Sequence, residues 1–318
     1  MPKCQKCGKK FDSLQALKDH FRSVHPNDRF VMAKPTTSRN LVLSVVVVII
    51  IMGGLVGYLI YTSGTGPSTT QTYFGELLTP ISYSLYQNLS GVSYSTLSSV
   101  GVGSQVAPLT PITPASTLTF NGKPEVLFIG GEFCPLCGAD RWSMVVALSK
   151  FGNFSNLEYM ISAPDDGNVT TLTFRNATYT SQYISFVAIE NEDRAHNILQ
   201  IPNATDQTLW NALDANSYPF MDIGGQYIVK SEMYPYTDLN GLNWTQIGSQ
   251  LNKPSSSVAK AVDGAANELI SAICKIDGGA PSSVCSQSFA QNVSYVSPAN
   301  TSPFTYSLAV MPVERPRL

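Results

Sequence analysis

The sequence predicts an α/β fold for the larger, C-terminal part of this 318-residue chain. An apolar, strand-like run over 125–130 is followed by a Cys-Pro-Leu-Cys motif over 134–137, and a helical pattern begins directly after it. Further strand-like runs and amphipathic stretches alternate downstream, which is typical of α/β domains. An uncharged stretch over 41–62 separates this part from the first forty residues. The predicted fold class therefore also includes one transmembrane helix and a small N-terminal unit.

The N-terminal unit, predicted over 1–26, carries four side chains that are common metal ligands. Their spacing is Cys-x₂-Cys-x₁₂-His-x₄-His, and they are Cys4, Cys7, His20 and His25. Two thiolates and two imidazoles in this order suit tetrahedral Zn²⁺. Phe11 and Leu17 stand where the small core of a ββα unit needs apolar side chains. The pattern resembles the C2H2 zinc finger family over 2–26, which implies structural zinc; a metal-free basic arm is the alternative.

Sequence-specific DNA binding is not expected of this unit. Fingers of this family contact bases from helix positions −1, 3 and 6, which here are Ser13, Ala16 and Asp19. None of the three can make the bidentate contacts that read bases. We expect a protein-contact module with a cytoplasmic partner, and no nucleic acid. Its lysines offer a second surface, since they could rest against anionic lipid headgroups.

The transmembrane prediction rests on length and charge. Residues 41–62 contain no charged side chain and would be about long enough, as a helix, to cross a ~30 Å hydrocarbon layer. Residues 1–40, which end in a basic linker over 27–40, carry nine Lys or Arg against three Asp or Glu. This excess predicts a cytoplasmic N-terminus and a large extracellular C-terminal domain in the cell membrane. Gly53 and Gly57 have the spacing of a helix-dimerisation motif, so a homodimer is one option.

The distribution of glycosylation sequons agrees with this orientation. Eight Asn-x-Ser/Thr triplets occur, all after the predicted span: Asn88, Asn153, Asn168, Asn176, Asn203, Asn243, Asn292 and Asn300. Glycans belong on the exported face of a membrane protein. A chain rich in Asn, Ser and Thr also yields such triplets by chance, so we expect only some to be used.

The exported part divides into four segments. We predict a flexible linker over 63–72, an irregular lead-in over 73–118, a compact domain over 119–295 and a tail over 296–318. Hydrophobic patterns within the domain predict strands over 125–130, 157–162, 171–175, 183–190 and 226–230. They predict helices over 135–151, 206–214, 244–252 and 256–275.

Cys134 and Cys137 are predicted to be redox-active. The first sulfur would lie at a helix N-terminus, where unpaired N–H groups and the helix dipole favour the thiolate. The second would lie one turn inside, within reach of a mixed disulfide on the first. Half of a zinc ribbon is an alternative, although no second Cys-x-x-Cys follows. A permanent, inert disulfide is another.

The remaining cysteines, Cys274 and Cys285, are predicted to form a structural disulfide. Cys274 stands at the end of a predicted helix, and a bridge to Cys285 would fix the glycine-containing loop between them. Thiols stay reduced in the cytoplasm and pair outside it, which fits the predicted orientation of the chain.

The order of elements around the Cys-x-x-Cys helix resembles the thioredoxin fold. That family has a cis-proline before its late β-hairpin, and the resemblance implies this role for Pro219, which precedes a strand-like run and a Gly224-Gly225 turn. The sequence departs from the family because no acid precedes the first cysteine at the usual place. Glu132 and Arg141 are the nearest charges; they are either solvated or, in the case of Arg141, available to stabilise a thiolate.

Two further groups of polar residues have weaker patterns. Glu190, Glu192 and Asp193 indicate a solvated charge cluster, and His196 indicates a surface or hydrogen-bonded core histidine. The segments 122–126, 133–142, 151–154 and 218–223 resemble an uncharacterised family of membrane-anchored proteins from thermoacidophilic archaea. This resemblance covers most of 75–290 and implies an exported thioredoxin-like domain without an established activity.

These features lead to three functional hypotheses. The first is a membrane-anchored thiol–disulfide oxidoreductase that acts on thiols or disulfides of exported proteins through Cys134 and Cys137, with Pro219 shaping the peptide groove. The second is a non-enzymatic, glycosylated surface or accessory subunit of a membrane complex. In the third, the N-terminal unit is central, as a cytoplasmic adaptor.

Overall fold

A computed structural model describes residues 1–26, 77–103, 106–112 and 117–291. The chain divides into two compact units, Met1–Gln71 and Thr72–Leu318. Each unit is described by itself below.

The described part of the first unit is a single helix packed on a short β-bridge. Lys3 and Lys10 pair in antiparallel fashion, and helix α1 spans Leu14–Val24. The hydroxyl of Ser13 caps the helix by accepting a hydrogen bond from the N–H of Ala16. Its small core consists of Cys4, Leu17 and Phe21, with Phe11 packed against them.

The second unit contains the other helices and the named strands of the described residues. The helices are α2 Tyr83–Ser90, α3 Tyr94–Val100, α4 Pro135–Leu148, α5 Ala204–Asp214, α6 Trp244–Leu251, α7 Ser257–Ile276 and α8 Ser282–Cys285. The strands are β1 Thr110–Pro111, β2 Thr119–Phe120, β3 Lys123–Gly131, β4 Gly152–Ser155, β5 Glu158–Ile161, β6 Thr170–Thr173, β7 Thr178–Ser181, β8 Ser185–Glu192, β9 Phe220–Ile223 and β10 Tyr227–Val229.

The main sheet is built around β3. Its order is β1-β10-β9-β3-β2, and β8 also pairs with β3, parallel to it and on the side away from β9. The β3–β9 and β9–β10 pairs are antiparallel, so the late hairpin extends the sheet at one side. Two small sheets, β4–β7 and β5–β6, complete the strand pairing. This arrangement places the C-terminal ends of β3 and β8 at the same edge.

The core lies on both faces of this sheet because side chains of β3 alternate between them. Val126 and Phe128 belong to the larger cluster, which includes the apolar faces of α4 and α7. Leu127 and Ile129 belong to a smaller cluster on the other face, with Trp210 of α5. Helix α4 has no polar face: every residue from Cys137 to Leu148 is buried. Charged side chains on this helix therefore lie inside the protein.

The predicted fold class needs a correction. The described residues form a mixed α/β structure, and none of their helices is both long and apolar enough to span a membrane. The fold class with one transmembrane helix is therefore not supported. The predicted span over 41–62 lies outside the described residues, and so do both linkers, the Gly53 and Gly57 pair, the sequons at Asn292 and Asn300, and the tail.

Most predicted elements of the α/β part are observed with small shifts at their ends. The helices predicted over 135–151 and 256–275 are α4 and α7, and the strand predicted over 183–190 is β8. The lead-in is more regular than predicted, because Ser82 and Ser93 cap the short helices α2 and α3. Strands β4 and β7 have no counterpart among the predicted elements.

Candidate functional site

The Cys-x-x-Cys motif lies at the junction of β3 and α4, at the C-terminal edge of the central strands. Cys134 is the N-cap residue of α4, with an extended backbone, and Pro135 occupies the first turn. The Sγ of Cys134 accepts a hydrogen bond of 3.1 Å from the backbone N–H of Cys137. A sulfur thus takes the place of the oxygen that usually caps a helix. The local sequence builds this geometry because proline begins the helix immediately after the first cysteine.

Both cysteines are free thiols with limited access to solvent. Cys134 is 4% exposed and Cys137 is completely buried. Gly130 allows this close packing at the end of β3: a Cβ there would lie 2.4 Å from the Phe128 ring and 3.4 Å from the Sγ of Cys137. Any partner therefore reaches the pair through the small exposed part of Cys134.

The two thiols differ in acidity. The pKa of Cys134 is lowered, chiefly by its side-chain hydrogen bond with Cys137, with further help from backbone N–H groups and the charge of Arg141; burial acts against this shift. The pKa of Cys137 is raised well above its ordinary value, chiefly by burial and then by its interaction with Cys134. Cys134 is thus the sulfur that ionises first, while Cys137 keeps its proton.

A buried ion pair lies beneath the motif. Arg141, which is 0% exposed, donates from Nε and Nη2 to the two carboxylate oxygens of Glu190 at 3.0 and 2.6 Å. Nη2 also donates to the carbonyl oxygen of Gly131 at 2.8 Å, and the guanidinium lies 5.7 Å from the ring centroid of Phe128. Nη1 has no hydrogen-bond partner. One cationic N–H group of Arg141, beneath the Cys-x-x-Cys motif, is therefore left without an acceptor.

A second ion pair adjoins the first. Glu132 accepts hydrogen bonds from Thr173 at 2.9 Å and from Nη2 of Arg175 at 2.6 Å. Burial raises the pKa of Glu132, and the negative charge of Glu190 adds to the shift. The two carboxylates are therefore close enough to repel each other, and each is held by its own arginine.

Asp140 is a third buried acid, one residue before Arg141 on α4. Its Oδ1 accepts a hydrogen bond of 2.8 Å from the N–H of Met233, and its Oδ2 has no partner. Burial raises its pKa well above the usual range; the Met233 hydrogen bond opposes this shift and the charge of Cys134 adds to it. The carboxyl group of Asp140 thus interacts electrostatically with the sulfur of Cys134, and its surroundings favour its protonated form.

The structure brings Pro219 to the same edge of the sheet as the two cysteines. Ile129 pairs with Phe220, so Pro219 follows in register beside the end of β3. The Tyr218–Pro219 peptide bond is cis, and Pro219 is buried. The ring of Tyr218 makes an edge contact with Phe133, the residue before Cys134, at 5.8 Å between centroids. Cys134, Cys137 and Pro219 therefore lie at the same edge of the sheet.

His196 lies over the rim of this site. Its ring packs on Phe133 with centroids 3.9 Å apart. Its two ring nitrogens lie 3.5 Å from carboxylate oxygens of Asp166 and Glu192. Glu192 in turn accepts a hydrogen bond of 3.1 Å from the hydroxyl of Tyr218. The rim beside Cys134 is thus partly aromatic and partly acidic.

Several expectations about charged residues are corrected by this geometry. Glu190 is not solvated but fully buried, and Glu132, at 1% exposure, is not solvated either. His196 is exposed, but it stacks on the residue next to Cys134. Asp140 was not among the predicted site residues. The signal in the sequence was an Asp-Arg pair within a helix whose remaining residues are mostly apolar, because such a helix is buried on all sides.

The other cysteine pair is a disulfide. Cys274, on α7, and Cys285, on α8, are bonded, with Cα atoms 5.5 Å apart. Of the described sequons, Asn203 and Asn243 act as helix caps through their side chains. Asn176 donates to both oxygens of Glu158, and Asn153 is exposed.

In the first unit, Cys4, Cys7, His20 and His25 form a cluster that could hold a metal ion. Their ligand atoms all lie within 4.8 Å of one another. The Sγ of Cys7 is 3.3 Å from Nε2 of His20. Cys4 is buried against Leu17 and Phe21, so the cluster forms part of the small core. A donor set of two thiols and two imidazoles at these separations fits a tetrahedral cation.

Comparison with known proteins gives one match. Residues 113–218, about a third of the chain, match a family described as a domain of unknown function (DUF929). This segment contains Cys134, Cys137, Arg141 and Glu190, and it ends at Tyr218. No curated protein and no solved structure matches the chain.

Proposed function

We propose that the second unit is a thiol–disulfide oxidoreductase that acts on exported proteins. The observation that carries this proposal is the pairing of an N-capping Cys134 of lowered pKa, which keeps 4% of its surface exposed, with a fully buried Cys137 of raised pKa. An attacking thiolate and a protonated resolving thiol, one helical turn apart, are the two parts that disulfide exchange requires.

In this proposal the thiolate of Cys134 forms a mixed disulfide with a substrate sulfur, and Cys137 resolves it. Cys137 must lose a proton when it attacks and regain one when it leaves. Asp140 lies one turn further along α4, and its Oδ2 is unpaired. A buried carboxyl group whose pKa is raised well above its ordinary value suits proton exchange of this kind. We assign it to Asp140.

The surroundings of Cys134 support a site for an extended polypeptide. In a thioredoxin-like arrangement the backbone beside a proline lies opposite the attacking sulfur, and the position of Pro219, next in register after Phe220 beside the end of β3, supports this role. Phe133 and Tyr218 offer apolar surface on the two sides. Main-chain groups at residue 218 would then pair with a substrate segment, while the rings contact its side chains.

We further propose that this unit works in an oxidising compartment outside the cytoplasm. The disulfide between Cys274 and Cys285 supports this, since such bonds persist where thiols are not kept reduced. The sequons after residue 62 agree with it.

The proposal is tested by thiol–disulfide exchange with a self-quenched, dye-labelled glutathione disulfide. The full chain should catalyse dye release in the presence of a small amount of dithiothreitol, and Cys134→Ser should abolish it. Cys274→Ala/Cys285→Ala, which removes the other cysteine pair, is the matched control and should leave the rate unchanged. Equal rates for the full chain and Cys134→Ser would contradict the proposal.

For the first unit we propose a zinc-dependent protein-contact module. Cys4, Cys7, His20 and His25 would hold Zn²⁺, which would supply the folding energy that so small a core lacks. The positions that read bases in related fingers are engaged within the helix: Ser13 caps it, and Asp19 accepts a hydrogen bond from Gln15. These contacts favour a protein partner over nucleic acid.

One observation favours a second function, a non-enzymatic binding scaffold. Cys134 is only 4% exposed, so the fold could hold the pair as an inert unit. Iodoacetamide distinguishes the two. An enzyme should react at Cys134 in the native state at neutral pH, whereas an inert pair should react only after denaturation.

A further inference from the structure

The groups around the two sulfurs favour one direction of electron transfer. We propose that this site is an oxidant, which takes two electrons from dithiols of exported polypeptides and leaves disulfide bonds in them. This inference rests on the proposed function and adds to it the direction of electron flow and the substrate class. It follows from the groups around Cys134, which stabilise a charged thiolate more strongly than an uncharged disulfide sulfur.

The first of these groups is the backbone at the start of α4. The N–H of Cys137 donates to the Sγ of Cys134 at 3.1 Å in the reduced pair. A thiolate is a strong acceptor in this position, and the positive end of the helix dipole favours its charge. A disulfide sulfur carries no charge and is a weak acceptor. Oxidation therefore weakens this hydrogen bond.

The second group is Arg141. Three of its N–H groups donate hydrogen bonds, two to Glu190 and one to the carbonyl oxygen of Gly131. Nη1 has no partner, although the side chain is completely buried. A buried cationic donor without an acceptor is costly. The charge of Arg141 lowers the pKa of both cysteines, so a thiolate nearby compensates it in part. An uncharged disulfide cannot compensate the charge of Arg141.

The buried acidic side chains near Cys134 destabilise its thiolate less than their number suggests. Burial raises the pKa of Asp140 on α4 and of Glu232 in the loop after β10, which favours their neutral forms. Glu132, just after β3, is paired with Arg175. The pKa of Tyr218 is raised as well, so its hydroxyl stays neutral. Glu190, on β8, is committed to Arg141 through two hydrogen bonds. Glu192 and Asp166 lie at the rim, against His196. The charge that acts on Cys134 from beneath the motif is that of Arg141, which lowers the pKa of this thiol.

These contacts stabilise the reduced pair relative to the disulfide. A dithiol that is stabilised in this way gives a more oxidising couple, because its disulfide gains free energy on accepting electrons. The structure thus favours transfer of electrons from the substrate to the protein.

One turnover transfers two electrons from the substrate dithiol to the protein. A substrate thiolate attacks the Sγ of Cys134 in the oxidised protein; the Cys134–Cys137 bond breaks, and Cys137 leaves as a thiolate and takes up a proton. The second substrate thiol loses its proton and attacks the substrate sulfur of the mixed disulfide. The Cys134 thiolate then leaves, the substrate has lost two electrons and two protons, and its new disulfide is complete. In the assay below, glutathione disulfide reoxidises the pair.

The test is the redox equilibrium of the full chain with glutathione, followed by alkylation of Cys134 and Cys137 and mass spectrometry. Thioredoxin, a reductant, is measured beside it. We expect an equilibrium constant at least 100-fold more oxidising than that of thioredoxin, which corresponds to about 60 mV.

Two variants of the ion pair should shift this constant in opposite directions. Arg141→Met should make the couple at least tenfold more reducing, because the charge that favours the thiolate is lost. Glu190→Gln should make it more oxidising, because the guanidinium is then less neutralised. A purely structural role would not give shifts of opposite sign. If Arg141→Met does not fold, Arg141→Lys replaces it. Because this variant keeps the positive charge, its equilibrium constant should remain partly as oxidising as that of the unaltered chain.

Arg175→Met is the matched control, since it removes the other arginine of the two ion pairs and should change the constant by less than threefold. An equilibrium constant equal to that of thioredoxin, or a shift toward oxidation in Arg141→Met, would overturn the inference while leaving exchange activity intact. If the cysteines do not equilibrate with glutathione at all, the proposed function fails together with the inference.

Discussion

The backbone N–H of Cys137 donates a hydrogen bond to the Sγ of Cys134 across 3.1 Å. This contact makes the first cysteine the cap of helix α4. The same thiol is the more acidic of the two, chiefly because of its side-chain hydrogen bond with Cys137 and with help from this backbone N–H. The second thiol is fully buried and keeps its proton. The difference between the two sulfurs is the basis of the predictions below.

Alkylation of the native protein should occur at Cys134 and not at Cys137. The lowered pKa of Cys134 means that its rate with iodoacetamide should rise at a lower pH than that of an ordinary thiol, of pKa ~8.5. Mass spectrometry of tryptic peptides measures both sites separately. Equal labelling of the two cysteines in the folded chain would count against this assignment.

Asp140→Asn should slow the resolution of mixed disulfides. A positioned general acid or base contributes typically 10²–10⁴-fold, and we expect a loss of about tenfold or more in the release of a peptide from Cys134. Asp263→Asn is the matched control, because Asp263 is also a buried acid of raised pKa but lies on α7. Comparable slowing in both variants would indicate a general effect of core polarity instead.

Stability should fall as the pH rises between about 4 and 8. Burial raises the pKa of Asp263 to about 8, although Lys150 lowers it in part, and burial raises the pKa of Asp222 to about 7. Their pKa values in the unfolded chain are near 3.9. Each acid therefore binds its proton more tightly when folded, and its contribution is complete below pH ~4 and is lost toward its folded pKa.

Urea denaturation of Asp263→Asn tests this dependence. The variant should be more stable than the unaltered chain by roughly 4–5 kcal/mol at pH 7.5 and no more stable at pH 4. Lys150, whose pKa burial lowers to about 8, acts above this range. Asp165→Asn, an exposed position, is the control. A stability that rises with pH from 4 to 8 in the unaltered chain would contradict this reading of the buried acids.

Removal of the Cys274–Cys285 disulfide should cost stability without changing exchange. The two residues are 11 apart in sequence, and the chain-entropy model gives roughly 3 kcal/mol for a loop of this size. The double variant Cys274→Ala/Cys285→Ala should lose about that much free energy of unfolding, measured in urea. Loss of exchange activity in the folded variant would show that this pair takes part in the chemistry.

Chelation should expose the cysteines of the first unit. Zinc bound by Cys4, Cys7, His20 and His25 would shield both thiols from maleimide, and removal of the metal should unfold the helix that covers Cys4. Labelling of the full chain should therefore increase about tenfold or more with a strong chelator. Cys4 and Cys7 that label equally fast with and without chelator would argue for a metal-free arm.

How far the sequence predicts this protein can be seen at individual residues. The strand over 125–130, the helix after Cys134 and the position of Pro219 follow from local patterns, because apolar periodicity and proline act over a few residues. The ion pair of Arg141 and Glu190 does not, since it joins residues 49 apart through a parallel pairing of β3 and β8. Local patterns predict that charged residues within apolar runs are solvated. These residues are buried instead, because core side chains cover both faces of the sheet.

The membrane prediction shows a different limit. It rested on composition over 41–62, and the described part of the chain contains no helix that could cross a bilayer. Hydropathy alone therefore does not establish that part of the fold class. The redox assignment does not depend on it, because every residue of the proposed site lies within 117–291.

The most direct test of the central claim is covalent trapping. The full chain carrying Cys137→Ser is incubated with a peptide disulfide and analysed by intact mass spectrometry under non-reducing conditions. The account predicts a stable adduct of one peptide per chain, linked to Cys134 and absent from the Cys134→Ser/Cys137→Ser variant. A folded Cys137→Ser chain that forms no adduct, while its Cys134 thiol is shown to be free after denaturation, would contradict it.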